Sequence, residues 1–410
     1  MKLLKNIFVM NTLSLYCMNV FRLLLPLLTI PYLARIFSTD IYGVVVYIKA
    51  LMTYVQLFID FGFLLSATKD IAITNDKVKI GKIVGDTLIE KMILSFLVCI
   101  LFFFVSFYLP IVQNNFEFVL ISLVATLSNI FILDFLFRGL EKMHLVAIPF
   151  CIAKTFATIL IFIVIKSDGD LLKLSLLDLI SNILAILLSW HYKNKNSIRI
   201  SISNWHKWIY DLKFSFVFFL SNFATTIFGA FTTVLVGIYL NTTLVAYWGL
   251  CMQMLSAAKA LYSPITNSLY TRELKHKDIK LVKKIGGMMI IPMAVGTYIL
   301  LFHSDFLMRI IGGDKYLNAG LYLKLLLPAF IFSFYSMLFG WPVLGAIKQY
   351  KLTTLTTILA ALFQLLCMII LMVFDKFELN LLAIICSLSE FILFVSRYYI
   401  YYVKRSFFKY

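Results

Sequence analysis

The sequence predicts an all-α, polytopic membrane protein of about twelve transmembrane helices. Composition is the first observation behind this: 62% of the 410 residues are hydrophobic and only 14% are charged, where a soluble chain carries about 25% charged residues. Phenylalanine is the second, with 39 residues, more apolar surface than a water-soluble core of this length buries but well suited to a bilayer. The third is segmentation. Apolar runs recur along the whole chain, each near or above the roughly 20 residues that span a hydrocarbon core, and no stretch is polar and long enough for a separate soluble domain.

The runs cover 13–37, 42–67, 83–108, 116–137, 145–165 and 174–190, then 214–240, 244–270, 285–302, 319–344, 352–374 and 379–402. The first follows Lys2 and Lys5, as the core of a signal peptide would, but no small-residue cleavage site follows. It continues through Arg22 and Pro26 and is read as a retained spanning helix. Cys17, Cys99, Cys151, Cys251, Cys367 and Cys386 all lie in apolar runs without CxxC spacing or a nearby His. They read as small buried hydrophobes, not disulfides or metal ligands. The net charge of +17 fits basic loops against anionic headgroups and not nucleic acid.

Charge sets the orientation. With the N-terminus inside, 24 of the 37 Lys and Arg residues, Lys277 and Lys409 among them, fall on inner loops and tails and 6 on outer loops. That bias puts both termini in the cytoplasm. Segments one to six and seven to twelve then share one orientation, which is compatible with a parallel repeat about an axis along the membrane normal. Two short matches support it: Ser38-Thr39-Asp40-Ile41 with Asn241-Thr242-Thr243-Leu244, and Gly139-x-x-Lys142 with Gly345-x-x-Lys348. The chain divides into a six-helix lobe over 1–192, a polar cytoplasmic linker over 193–213 with Trp205, Trp208 and Tyr210 as interfacial residues, and a second six-helix lobe over 214–410.

Catalytic motifs are missing. The outer loop near 303–320 holds Asp305 and Asp314 as isolated acids, with no HExxH or Walker A pattern anywhere. The informative residues are charges inside the spans, which are costly unless they face a bundle interior or a wet cavity. Arg22, Lys49, Lys154 and Lys259 are read as cavity-lining cations, and Asp60 as their carboxylate neighbour, open either to an ion or to a lysine. Lys49, Gln56 and Asp60 are spaced by seven and four residues and so share one helical face. Asn222, Thr226, Gly229 and Thr233 form a polar stripe on segment seven, and Ser256, Lys259, Ser263 and Thr266 another on segment eight. Together these stripes suit a central cavity with excess positive charge. Lys91, Lys324 and Arg397 lie near segment ends and are read as snorkelling to headgroups. Glu390 is read as a structural partner.

Three stretches carry a family resemblance. Leu27-Leu28-Thr29-Ile30-Pro31-Tyr32-Leu33-Ala34-Arg35 with Tyr42-Gly43, then Asp60-Phe61-Gly62-Phe63, resembles the opening two helices of Wzx-type O-antigen flippases. Phe137-Arg138-Gly139-Leu140-Glu141-Lys142-Met143 resembles that family's signature after the fourth helix, with Arg138 in place of its Gln. The resemblance places the chain in the multidrug/oligosaccharidyl-lipid/polysaccharide exporter superfamily. It implies two six-helix lobes around a central cavity and alternating access across a bacterial inner membrane. The implied cargo is an undecaprenyl-diphosphate-linked oligosaccharide, such as an O-antigen repeat unit. It further implies no cofactor beyond a coupling ion, H⁺ or Na⁺, and as partners the polymerase and chain-length regulator of the same pathway. Fixed cations suit a diphosphate, and hydroxyl and amide stripes suit a sugar. The competing readings are a multidrug or small-solute exporter on the same fold, which favours cavity carboxylates, and a membrane-embedded polymerase, which needs a large outer catalytic loop.

The charge bias makes a direct prediction. Alkaline phosphatase fused after Asn114 is expected to be active and fused at the C-terminus inactive. Strong activity from the C-terminal fusion would reverse the orientation.

Overall fold

The computed structural model describes residues 2–74, 76–276 and 279–407; Lys277 and Lys409 of the charge census lie outside the described residues. Eleven helical spans among the described residues are long and apolar enough to cross a membrane. The twelfth apolar run, 214–240, forms an interrupted helix. It is divided into α-helix to Thr226, a π-helical turn over Ile227–Phe231, and Thr232–Tyr239.

The chain folds as two compact units, Met1–Phe223 and Ala224–Tyr410. The first holds α1 (Lys2–Ile36), α2 (Thr39–Asp60), α3 (Phe63–Ala72), α4 (Lys77–Ser106), α5 (Pro110–Asn114), α6 (Phe116–Ser128), α7 (Asp134–Gly139), α8 (His144–Val164) and α9 (Leu171–Lys195), and most of α10 (Trp205–Thr226). Here α1 packs on α8, α8 on α9, α9 on α6, and α2 on both α4 and α6. The second holds α11 (Thr232–Tyr239), α12 (Thr242–His276), α13 (Ile279–Met288), α14 (Ile290–Gly312), α15 (Ala319–Leu325), α16 (Leu327–Phe339), α17 (Tyr350–Val373) and α18 (Leu379–Val403). Its core gathers Leu269, Ile279, Val282, Phe334, Leu338, Val343, Leu344 and Tyr401 from α12, α13, α16, the turn after it, and α18. Phe96, Leu97, Phe103 and Phe104 are exposed along α4, where lipid tails would cover them.

Both matched motifs mark the same local device in each unit. Ser38 Oγ accepts from Ile41 N (3.4 Å) and Asn241 Oδ1 from Leu244 N (2.8 Å), so each starts a helix as an N-cap. The glycine motifs end helices. Glu141 (φ 57°) and Lys348 (φ 61°) take left-handed backbone, and the next N–H reaches back, Lys142 N to Phe137 O (2.9 Å) and Gln349 N to Leu344 O (3.0 Å). This is the Schellman cap. The equivalent residues are Glu141 and Lys348, one position out of step with the glycine alignment.

The polar stretch after α9 is part of the first unit. Its backbone runs extended against the start of α4, where Ser201 N donates to Gly81 O (3.2 Å) and Ser203 N to Asp86 Oδ1 (2.7 Å). Trp208 Nε1 donates to the same carboxylate oxygen (3.0 Å). Cys17 differs from expectation: it is exposed, while Cys251 and Cys386 are buried.

A Cβ at Gly81 would collide with the Arg199 carbonyl, and one at Gly85 with that of Ser201, whereas one at Gly287 meets nothing. Gly81→Ala should therefore cost about 1–3 kcal/mol by overpacking, while Gly287→Ala should be neutral or slightly stabilising. Thermal unfolding of the detergent-purified protein checks this, and equal melting temperatures for the two variants would refute it.

Candidate functional site

A cavity of about 660 Å³ opens within the first unit, in the size range of small-molecule sites. Five of the sequence-selected residues meet there: Arg22 from α1, Lys49, Gln56 and Asp60 from α2, and Lys154 from α8. The shared face of α2 follows from its helical spacing. Lys91, Asn129, Asp134, Asp178 and Asn182 also line the cavity. The acids and amides among them were not evident from the pattern of basic residues, although a carboxylate in an apolar run such as Asp178 carries the same signal as Asp60.

Most of the charge is consumed internally. Lys91 Nζ donates to Asp60 Oδ1 at 2.8 Å, Gln56 Nε2 to Asp60 Oδ2 at 2.7 Å, and Asn129 Nδ2 to Gln56 Oε1 at 2.8 Å. Lys154 Nζ lies 3.8 Å from Asp178 Oδ1 and 3.4 Å from Asn182 Oδ1. Arg22 lies over the Phe150 ring, 5.0 Å from its centroid. Among the described residues neither Arg22 nor Lys49 has an ion-pair partner, and both are exposed. The lining holds four cations against three carboxylates, so its unspent charge is positive.

Lys259 lies elsewhere. It lines a separate pocket of about 360 Å³ inside the second unit, where its ammonium is paired with Glu390. Glu390 also accepts from Ser336 Oγ (3.3 Å). Thr266 lines this pocket too, and Ser256 is exposed. Asn222 is exposed and Thr226 half-buried near the end of α10; neither lines these two cavities.

Two snorkelling expectations are corrected. Lys91 is buried against Asp60, because α4 begins at Lys77 and places it mid-helix. Arg397 is buried and donates to Ser336 O (2.6 Å), Thr356 Oγ1 (3.3 Å) and Thr357 Oγ1 (3.0 Å). Lys324 pairs with Asp305 at 3.2 Å, and Arg309 with Asp314 at 2.6 Å, so neither acid is isolated. Among the described residues no three His, Cys, Asp or Glu side chains gather as metal ligands.

A bundle of membrane-spanning helices holding a charged cavity is an architecture that membrane transporters share, and comparison with known proteins points to that class. The fold matches that of the lipid II flippase MurJ in an inward closed conformation (TM-score 0.70, 14% identity, 96% of this chain and 87% of that one). It also matches an outward-facing multidrug resistance MATE family transporter of the MOP superfamily (TM-score 0.57, 15% identity, 96% and 95%). The family model described as "Polysaccharide biosynthesis protein" matches residues 8–270. A "Putative O-antigen transporter" of Shigella dysenteriae is 30% identical over 362 residues, 87% of this chain and 91% of the relative. One of Escherichia coli (strain K12) is 27% identical over 318 residues, 74% and 75%. The chain belongs to the polysaccharide biosynthesis protein family, and its motif resemblance to the Wzx-type flippases stands with that assignment.

The Lys91–Asp60 pair is lopsided, with side-chain exposures of 5% and 40%. Removing the carboxylate strands a buried ammonium; removing the lysine leaves a carboxylate that water reaches. Asp60→Asn should cost about 3 kcal/mol of stability and Lys91→Met about 1 kcal/mol, with the double variant recovering part of the larger loss. Melting curves that rank Lys91→Met as the more damaging change would contradict this.

Proposed function

We propose that this chain flips an undecaprenyl-diphosphate-linked oligosaccharide, an O-antigen or related surface-polysaccharide repeat unit, from the cytoplasmic to the periplasmic leaflet by alternating access. The observation that carries the reading is the surplus positive charge of a cavity in which Arg22 and Lys49 have no ion-pair partner, beside amides, hydroxyls, the Lys91–Asp60 and Lys154–Asp178 pairs and the carboxylate of Asp134. A diphosphate needs fixed positive charge, and a sugar needs donors and acceptors. The O-antigen transporters among the relatives point the same way. The membrane is then the bacterial inner membrane with both termini cytoplasmic, and the polymerase and chain-length regulator of the pathway are the expected partners.

A multidrug exporter on the same fold draws on Asp60, Asp134 and Asp178. Two of these are engaged by lysines, which leaves little acidic charge for a cationic drug. Two alternative schemes supply the driving force, membrane potential alone or ion coupling at Asp60, and we favour the second. A diphosphate carries about two charges, worth roughly 4–5 kcal/mol across 100 mV if uncompensated. Asp60 is the candidate for H⁺ or Na⁺ coupling on the return stroke, with Lys91 as the group that would take its place when an ion leaves.

The test is flipping in proteoliposomes loaded with the host cell's lipid-linked oligosaccharide. Arg22→Ala and Lys49→Ala should each lose about tenfold or more in rate, with Lys49→Arg keeping part of it, since charge-assisted contacts are worth about 1.5–3 kcal/mol. Asp60→Asn should lose the response to an ion gradient while still binding cargo. Wild-type rates from both alanine variants would sink the proposal.

A further inference from the structure

The second unit has a feature that diphosphate recognition does not use. After α16 the helix opens into a π-helical turn over Gly340–Gly345, a distortion that recurs at functional sites. The turn carries Trp341 into the wall of the 360 Å³ pocket with half of its surface exposed. The indole is held in place. Gly345 lies beneath it, where a Cβ would come within 3.0 Å of Trp341 Cε3. Tyr270 and Tyr350 flank it, with centroids 6.1 Å away in each case. The turn itself is anchored by Arg397, whose guanidinium accepts no substituent on Gly340 and donates to the Ser336 carbonyl.

The charges around this ring are spent within the protein. Lys259 is paired with Glu390, and Arg397 bonds the oxygens of Ser336, Thr356 and Thr357. A phosphate would find no unspent cation there. A neutral polyol would find a rigid aromatic face, and beside it Asn267, Thr266 and Thr357; the two threonine hydroxyls give their hydrogens to backbone carbonyls, so they meet a sugar hydroxyl as acceptors. A pyranose has one face of C–H groups, which lies on an indole, and an edge of hydroxyls, which bonds to such groups.

We infer that the pocket over Trp341 is a saccharide subsite that holds one sugar ring of the cargo, separately from the cations that hold its diphosphate. The inference rests on the reading that the cargo carries a glycan.

Binding to the full-length, detergent-purified chain tests it with two probes. One is undecaprenyl diphosphate, which has no sugar; the other is the oligosaccharide released by mild acid from the host cell's lipid-linked pool, which has no lipid. Trp341→Ala should weaken the oligosaccharide about tenfold and leave undecaprenyl diphosphate within about twofold. Trp341→Phe should retain most of the affinity, and Lys49→Ala should show the opposite selectivity. Asn267→Ala, on an exposed position of α12, should weaken the oligosaccharide about threefold and decides the matter where Trp341→Ala fails to fold. Unchanged oligosaccharide binding, or equal loss of both probes, overturns the subsite. A wild-type chain that binds undecaprenyl diphosphate but not the oligosaccharide overturns the subsite and leaves the proposed function standing. One that binds neither overturns both.

Discussion

The structure is governed by the cost of charge away from water. A lysine or aspartate in a membrane span must find a partner inside the protein or face a wet cavity. Lys91 closes on Asp60, Lys154 on Asp178, and Lys259 on Glu390. Arg397 instead bonds the carbonyl and hydroxyls set around the opened end of α16. Against that background Arg22 and Lys49 are conspicuous, because they have no ion-pair partner among the described residues. Lys91, Lys154 and Lys259 are matched by carboxylates, whereas Arg22 and Lys49 stand exposed in the wall of the first unit's cavity.

The two units apply the same local chemistry to different ends. Each begins a helix with a side-chain cap, at Ser38 or Asn241, and ends one with a left-handed residue, Glu141 or Lys348. The cavities differ. In the first unit, polar residues from seven α-helices surround a space with surplus positive charge. In the second, a π-helical turn exposes a tryptophan beside charges that are already neutralised. Similar scaffolding therefore surrounds surplus positive charge in one unit and an exposed indole in the other.

Much of this was legible in the sequence because helical periodicity is a strong signal. Lys49, Gln56 and Asp60 had to share a face once 42–67 was taken as a helix, and the twelve apolar runs follow from hydrocarbon thickness alone. Depth was harder to read. Lys91 lies close to the start of the apolar run at 83, yet the helix starts at Lys77 and carries it to mid-span. Arg397 is two turns from the end of α18, and nothing in the order of residues reveals that α16 opens beside it to free the Ser336 carbonyl. Lys259 read as one of four equivalent cations because its partner, Glu390, is 131 residues away in the chain. Long-range pairing of this kind is set by tertiary packing, which local pattern does not encode.

The extended stretch laid over Gly81 and Gly85 has a consequence for how the chain comes apart. By composition it resembles a tether, polar and lying between two sets of helices. In its contacts it is a strap, with its carbonyls seated where two glycines leave room and its amides on Gly81 and Asp86. A gene split for expression as two fragments at the end of α9 would strip this strap from the helices it binds and leave a bare groove on one piece. A split after Phe223 would keep it with its own unit. Where the chain looks most dispensable, it is part of the body.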